Sequence, residues 1–390
     1  MNLKASTPKS ISLKASLIPV VLLVVLLAYN VFVFGDDALS GSNQFILLIG
    51  GAIAAVVGFY HKVSYEKMLA EVAENLKSTT GALLILLMVG ALSGTWLVSG
   101  IIPAMIYYGL QILNPTIFLA ACVIICAIIS IATGSSWTTS ATVGIALIGI
   151  GNALGIPMGM TAGAVLSGAY FGDKMSPLSD TTNLAPAMAG GDLFTHIRYM
   201  LLTTVPTLIV TLIVFVVLGF TMDTSGEADT ASILNSIDAT FNISGWLFLV
   251  PLGVILMILK KTPPLMALLI GTLLGGVFAL IFQPEIIAGL SGAKTLSFEN
   301  GYKGILNAIT VSTEIATDNV ALNGLFTSKG MSGMLGTIWL IMCAMVFGGI
   351  MDGIGALSKI SETLLNMAQT TFGLFASTVA SCLALNVTAS

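Results

Sequence analysis

The run LIPVVLLVVLLAYNVFVF, Leu17 to Phe34, carries no charge and is long enough to cross the apolar core of a bilayer, about 30 Å thick and spanned by roughly 20 helical residues. Lys4, Lys9 and Lys14 precede it in the manner of a signal peptide, but no convincing small-residue cleavage site follows, so it reads as a first spanning helix. Further apolar segments lie at Asn43 to Tyr60, Thr80 to Leu110, Thr116 to Thr133, Thr138 to Ile156, Pro157 to Phe171, Tyr199 to Phe220, Ser244 to Leu259, Pro263 to Phe282, Met334 to Ile354 and Phe372 to Leu385. Thr138 to Ile156 and Pro157 to Phe171 become too short once their polar ends are trimmed, and read as half-helices or a re-entrant hairpin. Composition agrees. Of 390 residues, 56% are hydrophobic and 8% charged, against about 25% charged in a soluble domain. A water-facing surface of this size cannot be built from so few charges. The expected fold is an all-α polytopic membrane protein with about 9–11 spans or half-spans, and the lipid bilayer is its first partner.

A net charge of −4 leaves no basic stripe to follow a phosphate backbone, so nucleic acid is excluded as a partner. Cys122, Cys126, Cys343 and Cys382 sit in apolar runs without metal-ligand spacing and read as small core side chains. The basic residues set the threading. The N-terminal lysines, then Lys62, Lys67 and Lys77, then Arg198, then Lys260 and Lys261 fall on one side, whereas the Asp36-Asp37 loop and residues 221–242 carry no Lys or Arg. The first set is expected to be cytoplasmic. The resulting organisation is a cytoplasmic tail (1–16), a first transmembrane repeat (17–220), an external acidic loop (221–242) and a second repeat (243–390). Leu69, Val72, Ala73 and Leu76 recur at helical spacing, so 62–78 reads as a helix on the cytoplasmic surface; a pH-sensing helix that includes His61 is the functional alternative.

The repeat rests on two paired matches. Gly90-Ala-Leu-Ser-Gly94 resembles Gly349-Ile-Met-Asp-Gly353, and Ile131-Ala-Thr-Gly-Ser135 resembles Asn386-Val-Thr-Ala-Ser390 at nearly the same separation. Together they place Tyr65 to Lys77 opposite Tyr302 to Asp318. An odd number of spans precedes the second copy, which inverts it relative to the first, as in many secondary transporters. Broken helices or re-entrant hairpins are expected in each copy.

Two polar islands interrupt the first copy. In Thr133-Gly-Ser-Ser-Trp-Thr-Thr-Ser140, hydroxyls crowd around a helix-breaking glycine; a broken helix exposes backbone ends that, with Ser135, Ser136 and Thr138, can coordinate a small cation. Close helix packing would draw on the same residues. The second island runs from Gly172 to Gly191. Here Asp173 stands near Lys174 and Arg198 as partners, and Asp180 lies among Ser176, Ser179, Thr181, Thr182 and Asn183. Carboxylates are costly in such a chain unless they face a partner or a wet cavity. A carboxylate among neutral oxygens suits a hard cation, and the same group can carry a proton. A sodium site at Asp180, Thr181 and Asn183 is the sharpest expectation; a solvated loop is the plain one. Asn386 and Thr388 are the corresponding ligands of the second copy.

Asp352, in Phe347-Gly-Gly-Ile-Met-Asp-Gly353, is the acid most isolated from basic residues and joins Asp173 and Asp180 as a proton-carrying candidate if buried. At the membrane surface it would be inert. Glu314 and Asp318, at i and i+4, read as a solvated helix face. No Ser/His or Cys/His pair supports nucleophilic catalysis, and no cofactor is expected. The remote enzymatic alternative is an intramembrane aspartyl protease built on Asp173 and Asp352; a channel is a further alternative to exchange.

The stretches Gly134 to Gly151 and Gly163 to Pro186, with Phe347 to Asp352 and Asn386 to Ser390, resemble the NhaC-type sodium/proton antiporters of the ion-transporter superfamily. The resemblance implies a multi-pass antiporter of the bacterial cytoplasmic membrane, working by alternating access, with sodium and protons as its partners. It leaves open an exchanger of small carboxylates such as malate and lactate, and a homodimer. Residue by residue it points at Ser135, Ser136, Trp137, Thr138, Asp173, Ser176, Pro177, Asp180, Thr181, Thr182 and Asn183. Members of that family continue beyond the Asn-Val-Thr-Ala-Ser element, so the second repeat is expected to be incomplete.

Overall fold

The computed structural model describes residues 11–382 except 113, 178, 180, 181, 184, 187–190, 222–229, 261, 318–322, 324, 325, 367–369, 371, 374 and 381. In chain order the helices are α1 (Leu13–Phe34), α2 (Ser42–Tyr60), α3 (Tyr65–Val98), α4 (Ile101–Ile112), α5 (Pro115–Thr133), α6 (Ser136–Thr139), α7 (Ile145–Ala153) and α8 (Met158–Met175). They continue as α9 (Leu193–Thr221), α10 (Thr230–Thr240), α11 (Leu249–Leu259), α12 (Pro264–Phe282), α13 (Pro284–Leu290), α14 (Phe298–Thr310), α15 (Leu335–Gly353) and α16 (Ala356–Asn366). Strand structure among the described residues is one short antiparallel ladder, Thr313–Glu314 (β1) against Thr327–Ser328 (β2). The chain is an all-α polytopic membrane protein.

Among the described residues seven helices are long and apolar enough to cross a membrane: α1, α2, α3, α5, α9, α12 and α15 with the turn before it. Most of the other expected crossings are short or broken. A bend of 86° separates the helices on either side of Phe241–Ser244, which together make an eighth candidate, broken or re-entrant. Half of that pair is α10, so the latter part of the expected external loop is helix. The expected surface helix 62–78 and the span from Thr80 form one helix, the 34-residue α3. At 1.5 Å per residue α3 is about 50 Å long, well beyond an apolar layer of about 30 Å. It stops before Leu110 because Gly100, at φ +83°, turns the chain into α4. Glu314 lies in β1 and not on a helix, so the expected face shared with Asp318 does not form; Asp318 itself is outside the described residues.

By its internal contacts the chain forms two compact units, residues 1–84 with 334–390 and residues 85–333. In the first unit Leu23, Leu47, Met68, Phe347 and Met351 form the core. Here α15 lies on the N-terminal part of α3, because a Cβ on Gly349 would meet the Val72 backbone and one on Gly353 would meet Met68. In the second unit Trp96, Phe118, Cys122, Ile150, Val165 and Phe326 belong to the core, and the Trp96 indole donates to the Gly271 carbonyl at 3.2 Å. Gly94 of α3 packs on the Ala308 carbonyl of α14, where a Cβ would overlap it. Three cysteines are buried as expected; Cys382 is exposed instead, beside a chain end outside the described residues.

Candidate ion site

Asn114 starts α5 by accepting the Thr116 amide at 2.9 Å, with Pro115 in the first turn, where its missing N–H costs nothing. Gly134 ends it. The left-handed conformation there, φ 70° and ψ 21°, closes the last turn with its N–H on the Ser130 carbonyl at 2.8 Å. Ser135 then opens α6: its Oγ accepts the Thr138 amide at 3.2 Å and its carbonyl accepts the Thr139 hydroxyl at 2.9 Å. One π-helical turn, Ser140–Gly144, leads into α7. The chain thus turns back at Gly134–Ser135, since Gly151 near the end of α7 lies against Phe118 near the start of α5; the turn brings a helix C-terminus and a helix start together, and π-turns of this kind recur at functional sites.

A run of small residues lets α8 lie directly on α5. A Cβ at Gly168 would meet Cys126 and Ala127, and one at Gly172 would meet Ser130 and Ile131, so four residues along α8 match four along α5. The two helices therefore run in the same direction and end at the same level. Ser130 donates to the Ala169 carbonyl at 2.5 Å and Ser176 to the Ile131 carbonyl at 2.7 Å, which fixes that register. The reach of α8 puts Asp173 beside the break, and the Ser136 hydroxyl donates to Asp173 Oδ2 at 2.9 Å.

These residues open onto a cleft of about 680 Å³. Thr133, Gly134, Ser135, Trp137, Asp173 and Asn183 line it on one side, with Ile258, Thr262, Pro263 and Pro264 across from the α11–α12 turn. Asp173 is its one charged lining residue among those described. The structure thus joins both polar islands. The partner of Asp173 differs from expectation: it is Ser136 and neither Lys174 nor Arg198, since the ion pairs among the described residues are Lys77–Glu74 and Lys359–Glu362.

The expected ligands divide by role. Ser135 and Thr138 hydroxyls lie 3.0 Å apart. Ser176 is tied to α5, and Thr182 donates to the carbonyls of Asp173 and Lys174 at 3.0 and 3.1 Å, so these two hydroxyls hold the end of α8. Asn183, which also lines the cleft, donates to the Pro177 and Ser179 carbonyls at 2.8 and 2.7 Å. Asp180, Thr181, Asn386 and Thr388 lie outside the described residues. Asp352 is exposed at the end of α15, not buried, because Gly355 at φ +76° ends the helical path just after it. The walls at Ile258, Thr262, Pro263 and Pro264 escaped sequence reading; nothing in that stretch of sequence signals that it faces the islands. At the far edge of the second island, Asp192 caps α9. The Thr195 backbone amide, helped by the Thr195 hydroxyl, holds its carboxyl below the usual carboxylate range.

Residues 168–390 match the model of the Na+/H+ antiporter family. The chain is 38% identical over 345 residues to the malate-2H+/Na+-lactate antiporter of Bacillus subtilis, covering 88% of this chain and 69% of that protein. It is 36% identical over 335 residues to the Na+/H+ antiporter NhaC of Alkalihalophilus pseudofirmus, covering 86% and 70%, and 34% identical over 318 residues to NhaC of Bacillus subtilis, covering 81% and 67%. No solved structure gives a significant match.

Proposed function

This chain belongs to the Na+/H+ antiporter family, and we propose that it exchanges sodium for protons at the break between α5 and α6, with Asp173 as the shared acceptor. The observation that carries this reading is the Ser136–Asp173 hydrogen bond at 2.9 Å, which sets the one described carboxylate of the cleft against the α5–α6 turn, where one helix ends and the next begins. A helix break supplies carbonyls and hydroxyls without bringing a competing positive charge. Sodium takes the carboxylate in one state and a proton takes it in the other. Asp180, Thr181 and Asn183 complete the proposed ligand set around Asp173; Asn386 and Thr388 are the proposed ligands of the second copy, and Asp352 remains a candidate proton carrier at a helix end.

The exchange proceeds by alternating access between two inverted repeats. Two contacts support the repeats: the glycine-containing span of the first copy, at Gly94, packs on α14 of the second, while that of the second, at Gly349, packs on the α3 segment of the first. Two copies related by a pseudo-two-fold axis make reciprocal contacts of this kind. The protein resides in the bacterial cytoplasmic membrane with its N-terminus and Lys260 in the cytoplasm. That threading puts the cleft at the cytoplasmic end.

A sodium- and proton-coupled exchange of carboxylates is the second reading, favoured by the cleft volume of about 680 Å³ and by the named activity of the Bacillus subtilis relative at 38% identity. Against it stands a described lining without Lys or Arg to hold an organic anion. Labelled-sodium counterflow in proteoliposomes, with and without malate or lactate, tests both. Flux that depends on pH but not on the acids supports sodium/proton exchange; flux that requires either acid replaces it with the second reading.

A further inference from the structure

The cleft is larger and less polar than a bare cation needs. Its volume of about 680 Å³ lies within the roughly 300–1,000 Å³ of small-molecule sites, whereas hard cations bind through oxygen ligands alone. Much of its wall offers no oxygen side chain. Ile85, Ile258, Pro263 and Pro264 are apolar, and Trp137, 48% exposed, lines the same space as Asp173. The Trp137 backbone lies in the first turn of α6, next to Ser136, whose hydroxyl holds the Asp173 carboxylate.

One negative group, an aromatic face and hydrocarbon walls, with no basic side chain among the described lining, make a recognition set for an organic cation. The carboxylate answers the charge, and an indole face attracts a quaternary ammonium that has shed water. Among the described lining an anion finds no basic side chain. A sodium ion held through oxygen ligands would need Asp173 and not the indole.

We propose that the cleft binds small quaternary ammonium ions, which compete with sodium for Asp173 and rest their methyl groups on Trp137. The inference rests on the reading of Asp173 as the shared acceptor. It adds a ligand class that sodium/proton exchange does not require.

Tetramethylammonium chloride is the probe, because it neither carries a titratable proton nor dissipates a pH gradient as a free amine. Sodium-driven proton exchange is followed in proteoliposomes with an internal pH dye, against equal concentrations of potassium chloride. Tetramethylammonium is expected to raise the apparent KM for sodium without lowering the maximal rate. Trp137→Leu should raise its inhibition constant by roughly tenfold, and Trp137→Phe should restore most of that loss. A wild-type protein whose sodium KM is unmoved by a large excess of tetramethylammonium overturns the inference and leaves sodium/proton exchange standing. If sodium exchange itself is absent, calorimetric titration of tetramethylammonium into the purified protein decides the matter separately: heat of binding abolished in Asp173→Asn supports the site, and no heat with the wild type overturns it.

Discussion

Ser136 and Asp173 stand 37 positions apart in the chain and are joined by a hydrogen bond of 2.9 Å between the start of α6 and the end of α8. The hydroxyl orients the carboxylate without neutralising it. Ser136→Ala should therefore keep exchange but weaken apparent sodium affinity by roughly two- to tenfold, the equivalent of about 0.5–1.5 kcal/mol for one net hydrogen bond. Sodium-dependence curves at one pH read this directly. An unchanged KM would show that the hydroxyl is only packing.

Gly134 reaches φ 70°, where a side chain is strained. Gly134→Ala should cost about 1–2 kcal/mol in that conformation and shift the turn between α5 and α6, lowering both thermal stability in detergent and transport rate. Asn enters the left-handed region more readily than Ala, so Gly134→Asn should recover part of each. Equal behaviour of the two variants would mean that backbone conformation at the break is not the determinant.

How far the sequence already disclosed this site follows from its physics. The helix break was legible because Thr133-Gly134-Ser135 combines a C-cap glycine with an N-cap serine, a local signal. The span ends at α2 and α15 were legible for the same reason, since length and apolarity are properties of one segment. The meeting of Asp173 with Ser136 was not, because it depends on α8 running in the same direction as α5, and that register is set by Gly168 and Gly172 fitting against backbone and small side chains. Lys174 and Arg198 were plausible partners for Asp173 in one dimension only. Likewise nothing local announced that the chain around Thr262 faces the islands, or that Asp352 would come to the surface.

The reciprocal glycine contacts yield a stability test. Gly94→Ala should force α14 away from α3 and destabilise the protein by about 1–3 kcal/mol, the usual cost of overpacking. Gly81 in the same helix meets no atom within 4 Å of an added Cβ, so Gly81→Ala should be neutral or stabilising by up to about 1 kcal/mol. Thermal unfolding in detergent separates them. Matching midpoints would contradict the close approach at Gly94.

Asp192 gives a pH-dependent case. Its folded value is lowered by the Thr195 amide, so its capping contribution is present above the ordinary carboxylate range and is lost as pH falls through the lowered value. Asp192→Ala should melt below wild type near about pH 7, and the gap should narrow toward about pH 3. A gap independent of pH would show that the charge plays no part in capping α9.

The measurement closest to the central claim compares wild type with Asp173→Asn in proteoliposomes that carry an acid-inside pH gradient and a luminal pH dye. Adding sodium outside should dissipate the gradient in the wild type, with an apparent affinity that falls as the medium is acidified because protons occupy the same carboxylate. Asp173→Asn, similar in size but unable to take up a proton, should leave the gradient intact at every sodium concentration. A variant that dissipates it as fast as wild type, with the same response to pH, would contradict the account.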